Sequence, residues 1–249
     1  IMDKTYLPKI FRKVASFLVK KYFKYNLKKI DEIFTVTPHI VDELKKYSKN
    51  VSLLTNYPII PVNIYNCSYT EYSDKPNTAF YAGTIYDTSQ QDLILDAISD
   101  IQNIQYLLIG NIEINYKEQL KQNKGWEKVV FKNYMAKEDL DSIAKKATIG
   151  LAIFDYIPNL GYKRGSLGVN KIFEYMLNGV PIICTDFDLW REIIDKHKCG
   201  LLINPNNVNE IRNAIAFLIN NKEEAYNMGQ RGRNAVLNEY NWGNQEKIL

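Results

Sequence analysis

The sequence predicts an α/β chain: a doubly wound, parallel, six-stranded domain preceded by part of a second α/β domain. Three observations carry this. From Thr78 onward, short apolar runs alternate with helix-length segments. The runs are almost continuously apolar, as strands are when helices cover both faces of a parallel sheet. Before Thr78 there is only a helix, a strand, a helix and a strand, too little to close a six-stranded sheet.

The elements follow in order. Ile10, Val14, Phe17, Leu18, Tyr22, Leu27 and Ile30 recur at helical spacing and predict one amphipathic helix from Ile10 to Ile30. Residues 33–37 (Ile-Phe-Thr-Val-Thr) are β-rich, a helix is expected over 39–47, and residues 51–55 form another strand. Residues 1–57 thus read as the end of a first domain. Pro58, Pro61 and Pro76, with polar sequence between them, mark 58–77 as a linker. In the domain over 78–249, strands are expected at 79–82, 106–109, 129–131, 149–154, 181–184 and 201–203. Helices are expected at 91–99, 137–146, 170–177, 189–196, 208–218 and 223–238.

Composition narrows the function classes. The 249 residues are 46% hydrophobic and 24% charged, ordinary for a globular protein. No apolar run approaches the roughly 20 residues that cross a bilayer, and the first thirty residues have no signal-peptide pattern. Cys67, Cys184 and Cys199 are odd in number and widely spaced. With only two histidines besides, they predict neither a disulfide framework nor a metal site, and they suggest a reducing, cytoplasmic setting. The net charge of +4 is unevenly placed: nine basic residues and no acidic one lie between Lys4 and Lys29.

Open parallel sheets bind ligands beyond the carboxyl ends of their strands, where helix N-termini face the crevice. The segment 156–170 follows one such strand and leads into a helix. Gly165 and Gly168 permit backbone conformations closed to other residues. The N–H groups of Gly168, Val169 and Asn170 would stand at the positive end of that helix, with Lys163, Arg164 and Lys171 nearby. This combination suits a diphosphate. Glu174, one turn further on, could accept hydrogen bonds from the vicinal hydroxyls of a ribose; the alternative is a solvated helix glutamate.

Residues 170–183 (Asn-Lys-Ile-Phe-Glu-Tyr-Met-Leu-Asn-Gly-Val-Pro-Ile-Ile) resemble the "K-x-x-E-Y-M-x-x-G-x-P" core of the retaining glycosyltransferases called group 1. Other pieces agree in order: Phe34-Thr-Val-Thr-Pro38, Asn56-Tyr-Pro58, Tyr81-Ala-Gly83, Leu107-Leu-Ile-Gly110, the run 199–205 and Tyr240-Asn-Trp242. The resemblance implies a GT-B fold of Rossmann-like domains and transfer of a sugar, with retention, from a nucleotide diphosphate such as a UDP- or GDP-sugar. It implies no metal, because N–H groups and basic side chains stabilise the leaving diphosphate.

By the same resemblance, Glu174 holds the donor ribose and the backbone of Gly168, Val169 and Asn170 holds the diphosphate. Asn133 and Tyr134 lie beside the base, and Gly110 lines the cleft. Two departures stand out. Ser166 occupies the position of the family's first glutamate, so Glu174 and Ser166 are the candidate catalytic positions. In the loop after Gly83, Thr84 and Ser89 or Gln90 replace an expected basic pair, and Lys163, Arg164 or Lys171 would supply that charge.

The basic helix over 9–30 has two compatible readings. Its apolar face packs on a first-domain sheet, or it rests on an anionic membrane surface near a lipid-linked acceptor. No motif points to nucleic acid. The leading expectation is therefore a glycosyltransferase acting on a polysaccharide or glycolipid acceptor, present mainly as its donor-binding half. It would be cytoplasmic, peripheral on the inner face of the membrane in the second reading of the basic helix, and inactive or weakly active without a full first domain. The rival is a non-catalytic nucleotide-sugar-binding module that acts as a partner or regulator. A GT-B epimerase is disfavoured by the lack of a proton-shuttling cluster.

Overall fold

The computed structural model describes residues 8–64 and 66–249. The chain divides into two compact units: Ile1–Asn56 with Ser166–Gly168 and Ile248, and Tyr57–Gly165 with Val169–Lys247 and Leu249.

In the first unit, helix α1 (Lys9–Asn26) runs into a 3₁₀ turn (Leu27–Lys29). Strand β1 (Ile33–Thr35), helix α2 (Pro38–Leu44) and strand β2 (Val51–Leu53) follow, and the two strands pair in parallel. Pro38 starts α2 because its missing N–H would have no helical partner there. One face of α1 packs, with the Phe23 ring 6.1 Å from that of Tyr47. Of the apolar face singled out in the sequence, Ile10, Val14, Phe17, Leu18 and Tyr22 are more than half exposed within these 249 residues, Ile30 is 45% exposed and Leu27 is half-buried; Phe11 and Tyr25 on the same helix are exposed as well. Lys4, counted in the basic run, lies outside the described residues.

The second unit is built on six parallel strands: β3 (Thr78–Ala82), β4 (Gln105–Ile109), β5 (Val129–Lys132), β6 (Ile149–Ala152), β7 (Ile182–Thr185) and β8 (Gly200–Ile203). Their order across the sheet is β5-β4-β3-β6-β7-β8. Strands β6 and β7 are buried at every residue, whereas the edge strands β5 and β8 are only partly covered. That gradient follows from helices lying on both faces. The connecting helices are α4 (Gln91–Ser99), α5 (Ile114–Lys121), α6 (Lys137–Ala144), α7 (Lys171–Leu177) and α8 (Asp188–His197). Helices α9 (Val208–Asn220), α10 (Lys222–Asn238) and the short α11 (Trp242–Gln245) complete the chain. Every strand expected from sequence is present, within two residues at each end.

Three helices go beyond the sequence expectation: α3 (Tyr69–Ser73), α5 and the four-residue α11. α5 carries few buried residues, Leu120 being the one that is fully buried. Within the proline-marked stretch, helix α3 (Tyr69–Ser73) forms behind a reciprocal cap: Glu71 N–H donates to Ser68 Oγ, and Ser68 N–H donates to Glu71. Tyr72 anchors it, buried, with its hydroxyl donating to the Thr148 carbonyl at 2.9 Å.

Lys128 is a structural cation. Its Nζ donates to the carbonyls of Ile98 and Ser99 at 2.7 and 2.8 Å and also to that of Ile101, closing the carboxyl end of α4. Lys128→Met leaves those carbonyls without this donor and is expected to destabilise the fold by about 1–3 kcal/mol. Urea denaturation checks this; an unchanged midpoint would show that water replaces the ammonium at no cost.

Candidate functional site

The strand order reverses between β3 and β6. The chain steps outward from β3 to β4 and β5, then crosses back to β6 and continues the other way. The loops after β3 and β6 therefore diverge, and they leave a crevice at the carboxyl edge of the sheet.

The floor of that crevice is bare backbone. The N–H of Gly83 donates to the Ile109 carbonyl at 3.0 Å, and that of Gly110 donates to the Lys132 carbonyl at 3.0 Å. A Cβ on Gly110, which has φ +145°, would stand 1.8 Å from the Gly83 oxygen, so no side chain fits there. Thr84 is exposed beside Gly83, and its carbonyl accepts from Tyr81 Oη at 2.9 Å. Polar bonds tie the surrounding loops. Gln90 Nε2 donates to Asn206 Oδ1 at 3.0 Å, and Asn206 Nδ2 donates to Asp155 Oδ1 at 3.2 Å.

Helix α7 is set against the sheet by a close contact. The Tyr175 ring lies where a Cβ on Gly150 would come within 2.4 Å of it, so only glycine at that position of β6 lets the helix approach. Ile172, Phe173, Tyr175 and Met176 are buried, which fixes the backbone that carries Lys171 and Glu174. Asn170 occupies the N-cap in helical conformation, and no side chain caps the first turn.

Lys171 reaches into the switch point. The residue keeps some surface exposure. Its Nζ, however, sits 3.4 Å from the Tyr81 ring centre and 4.9 Å from that of Phe154, the rings flanking the crevice from the β3 and β6 sides. It also lies 3.2 Å from the position of a Cβ on Gly83. Burial pushes this ammonium well below the ordinary lysine range, and no neighbouring charge among the described residues offsets the shift. The electron-rich ring faces are its compensation.

Glu174 is mostly covered, and its Oε2 accepts from Lys137 Nζ at 2.9 Å. Lys137, the first residue of α6, was not picked out from the sequence. Its partner lies 37 residues away, and no local pattern joins them. Asn133 and Tyr134 are exposed in the loop before α6, Tyr134 with 73% of its surface free.

The remaining candidates lie differently. Lys163 was expected to face a diphosphate, but its ammonium is held by Asp186 Oδ2 at 3.0 Å, a carboxylate that also takes Arg191. Arg164 and Val169 are exposed and half-buried, respectively. Gly165 takes a left-handed conformation (φ +81°), whereas Gly168 is absent from the positive-φ residues among those described. Instead, Gly168 N–H donates to Ser166 Oγ at 3.1 Å, so it is not open to a ligand in this conformation. Ser166 is buried, with Oγ 3.2 Å from Thr37 Oγ1 within the first unit. Cys67, Cys184 and Cys199 are buried thiols. Among the described residues, no group of three or more histidine, cysteine or carboxylate side chains could hold a metal.

A cavity of about 610 Å³ lies elsewhere, lined by residues of α8, β8 and α10. Its most prominent cation, Arg231, is already engaged by Glu224 at 2.6 Å and by the Lys198 carbonyl at 2.8 Å. The switch-point crevice is therefore the site where uncommitted chemistry converges.

A doubly wound α/β domain of this strand order is of the class that places its ligands in the crevice at the switch point. The family is defined more closely: residues 70–235 match the family described as glycosyl transferases group 1, and the chain belongs to it. It is 26% identical over 220 residues to an uncharacterized glycosyltransferase of Methanocaldococcus jannaschii, covering 85% of this chain and 56% of that protein. The chain thus spans about half the length of this curated relative. Among solved structures, sucrose-phosphate synthase of Thermosynechococcus elongatus superposes with a TM-score of 0.72 at 17% identity, covering all of this chain and 62% of that one. Anabaena HepE, solved with UDP and glucose, gives 0.74 at 14% identity, covering all of this chain and 68% of that one. The fold is that of GT-B glycosyltransferases.

The buried cation has a consequence for stability. Lysine in the unfolded chain titrates at about 10.5, while burial lowers the folded value. Below 10.5 the unfolded state holds this proton more tightly than the folded state does, so the charge on Lys171 costs stability at neutral pH, and that cost fades as pH rises toward 10.5. Lys171→Met is expected to raise the urea midpoint at pH 7, with the gain over the parent protein shrinking above pH 9. A lower midpoint at pH 7 would show that the cation–ring contacts outweigh desolvation.

Proposed function

We propose that this chain is the donor-binding half of a retaining glycosyltransferase. The donor is a nucleotide diphosphate sugar, a UDP- or GDP-sugar, and the acceptor is a polysaccharide or a glycolipid. The observation that carries the reading is the Lys171 ammonium, set against the Tyr81 and Phe154 rings with no counter-charge among the described residues, one helical turn from the Glu174 carboxylate. A diphosphate supplies the missing anion, and its ribose brings hydroxyls to the carboxylate. As the glycosidic bond to the sugar breaks, negative charge grows on the departing diphosphate. A cation in a water-poor site stabilises that charge more strongly than water does.

The remaining assignments carry over from the family resemblance. Gly83, Thr84 and Gly110 would form the floor against which the donor lies, and Asn133 and Tyr134 would rest beside the base. The backbone of Val169 and Asn170 would meet the diphosphate, with Gly168 joining them only if its N–H leaves Ser166 Oγ. Arg164 adds positive potential, whereas Lys163 contributes through Asp186. With Lys171 and backbone N–H groups meeting the diphosphate charge, the reading calls for no metal. The HepE structures described with UDP and with UDP-glucose make uridine the first base to try. Because the chain spans 56% of its curated relative, donor binding without efficient transfer is expected of these 249 residues.

The lipid side of the proposal rests on α1. Its exposed apolar face is flanked by Lys13, Lys20 and Lys24, and the helix carries no acidic residue. Such a helix lies on an anionic membrane surface on the cytoplasmic side. The chain is expected to float with vesicles containing phosphatidylglycerol and not with phosphatidylcholine alone. Failure to float with the anionic vesicles would remove the membrane from the reading, and equal flotation with both would remove the role of the lysines.

Calorimetric titration with UDP, GDP and their sugar conjugates tests the donor site. Saturable binding is expected, weakened roughly ten- to a hundredfold by Glu174→Ala, the effect of losing charged hydrogen bonds worth about 1.5–3 kcal/mol. Absence of binding at millimolar nucleotide by the folded chain would sink the proposal.

A further inference from the structure

Lys137 stands where helix stability alone would not place a lysine. It is the first residue of α6, at the positive end of the helix dipole, where a cation is disfavoured. Its pairing with Asp141 at 3.6 Å has the lysine on the amino-terminal side, the weaker orientation of an i,i+4 pair. The Lys137 side chain is 61% exposed, and an exposed ion pair adds little to stability. What it does instead is reach across to α7 and bond one oxygen of Glu174. Burial works against its charge, but the bond and the charge of Glu174 more than offset this and hold the ammonium above the ordinary lysine range.

The backbone of Glu174 is already fixed by its buried neighbours, so its remaining freedom is in the side chain. A carboxylate at a crevice lip samples several rotamers, and only some of them can meet a ribose. An ammonium fixed on the opposite helix selects among them.

We infer that Lys137 is a positioning residue for the nucleoside end of the donor, holding Glu174 through Oε2 so that the other carboxylate oxygen receives a ribose hydroxyl. This rests on the donor site proposed above. The ligand chemistry is that of a cis-diol, and the diphosphate is left to Lys171. Lys137 therefore governs the ribose and not the phosphate charge, which separates it from a cation that merely raises the local potential.

The test is calorimetry with UDP, UMP and inorganic pyrophosphate on the 249-residue chain and its Lys137→Met, Lys137→Arg, Glu174→Gln and Lys137→Met/Glu174→Gln variants. GDP and GMP replace the uridine nucleotides if the parent protein prefers guanine. Lys137→Met is expected to weaken UDP and UMP by about three- to fivefold each and to leave pyrophosphate unchanged. Lys137→Arg, which keeps the charge and the donor, restores most of the affinity. The double variant binds UDP no more weakly than Glu174→Gln alone, since the two residues act as one unit. Urea midpoints of the variants are expected to match the parent's, so loss of folding does not enter.

Equal loss for pyrophosphate and UDP would make Lys137 a phosphate-facing cation and overturn the inference. Unchanged UDP affinity in Lys137→Met would reduce the pair to a surface ion pair and overturn it as well. A parent protein that binds pyrophosphate but neither nucleotide would remove the ribose site and this inference with it. A parent protein that binds none of the probes would instead bring down the donor site as a whole.

Discussion

Parallel strands joined by helical crossovers bring their carboxyl ends to one edge of a sheet, and in this domain the order reverses between β3 and β6. Every feature of the candidate site depends on that reversal. It separates the loops after β3 and β6 and lets Lys171, from the start of α7, reach the rings of Tyr81 and Phe154, whose centres stand 6.3 Å apart. Without the reversal, a crossover helix would lie where Lys171 now reaches. The site is thus a consequence of topology first and of residue chemistry second, which is why unrelated sequences with this sheet order keep their ligands in the same place.

Close packing turns the opening into a defined geometry. Gly150 lets the Tyr175 ring lie against β6, and the Tyr175 hydroxyl accepts from Ala82 N–H at 3.3 Å. One aromatic side chain therefore couples α7 to both strands at the reversal. Gly83 and Gly110 keep the floor free of side chains. These are small residues placed where larger ones would alter the distance between a cation and the backbone opposite it.

Much of the second unit was legible because its physics is local. Buried strands are apolar runs, and helices alternate with them at lengths the eye can count. What could not be read was non-local or weakly patterned. Helix α5 (Ile-Asn-Tyr-Lys-Glu-Gln-Leu-Lys) buries too little to show periodicity, although Glu113 at its N-cap accepts from Tyr116 N–H at 2.9 Å. Helix α3 hid among prolines, yet the Ser68-x-x-Glu71 capping signature was there to find. At the site, the motif located Lys171 and Glu174, but their states depend on neighbours distant in sequence. The rings that enclose Lys171 come from β3 and from the end of β6, Lys137 comes from α6, and Lys163 turns out to be held by Asp186. Spacing names the residues; only the sheet order says which charges remain uncommitted.

The two lysines at the crevice are held in opposite ways. Lys137 has its anion already, is exposed, and carries a strengthened charge. Among the described residues Lys171 has no anion; it is enclosed by rings and carries a weakened charge. In the proposed reading, a ligand that is anionic at one end and hydroxylated at the other would relieve the second without disturbing the first. An ion pair at Lys171 would have made the empty protein more comfortable, but it would also have removed the driving force for an anion to enter. On the same reading, leaving Lys171 without a counter-ion would keep part of the binding free energy in reserve, and pairing Lys137 with Glu174 would keep the proposed ribose acceptor oriented in the meantime.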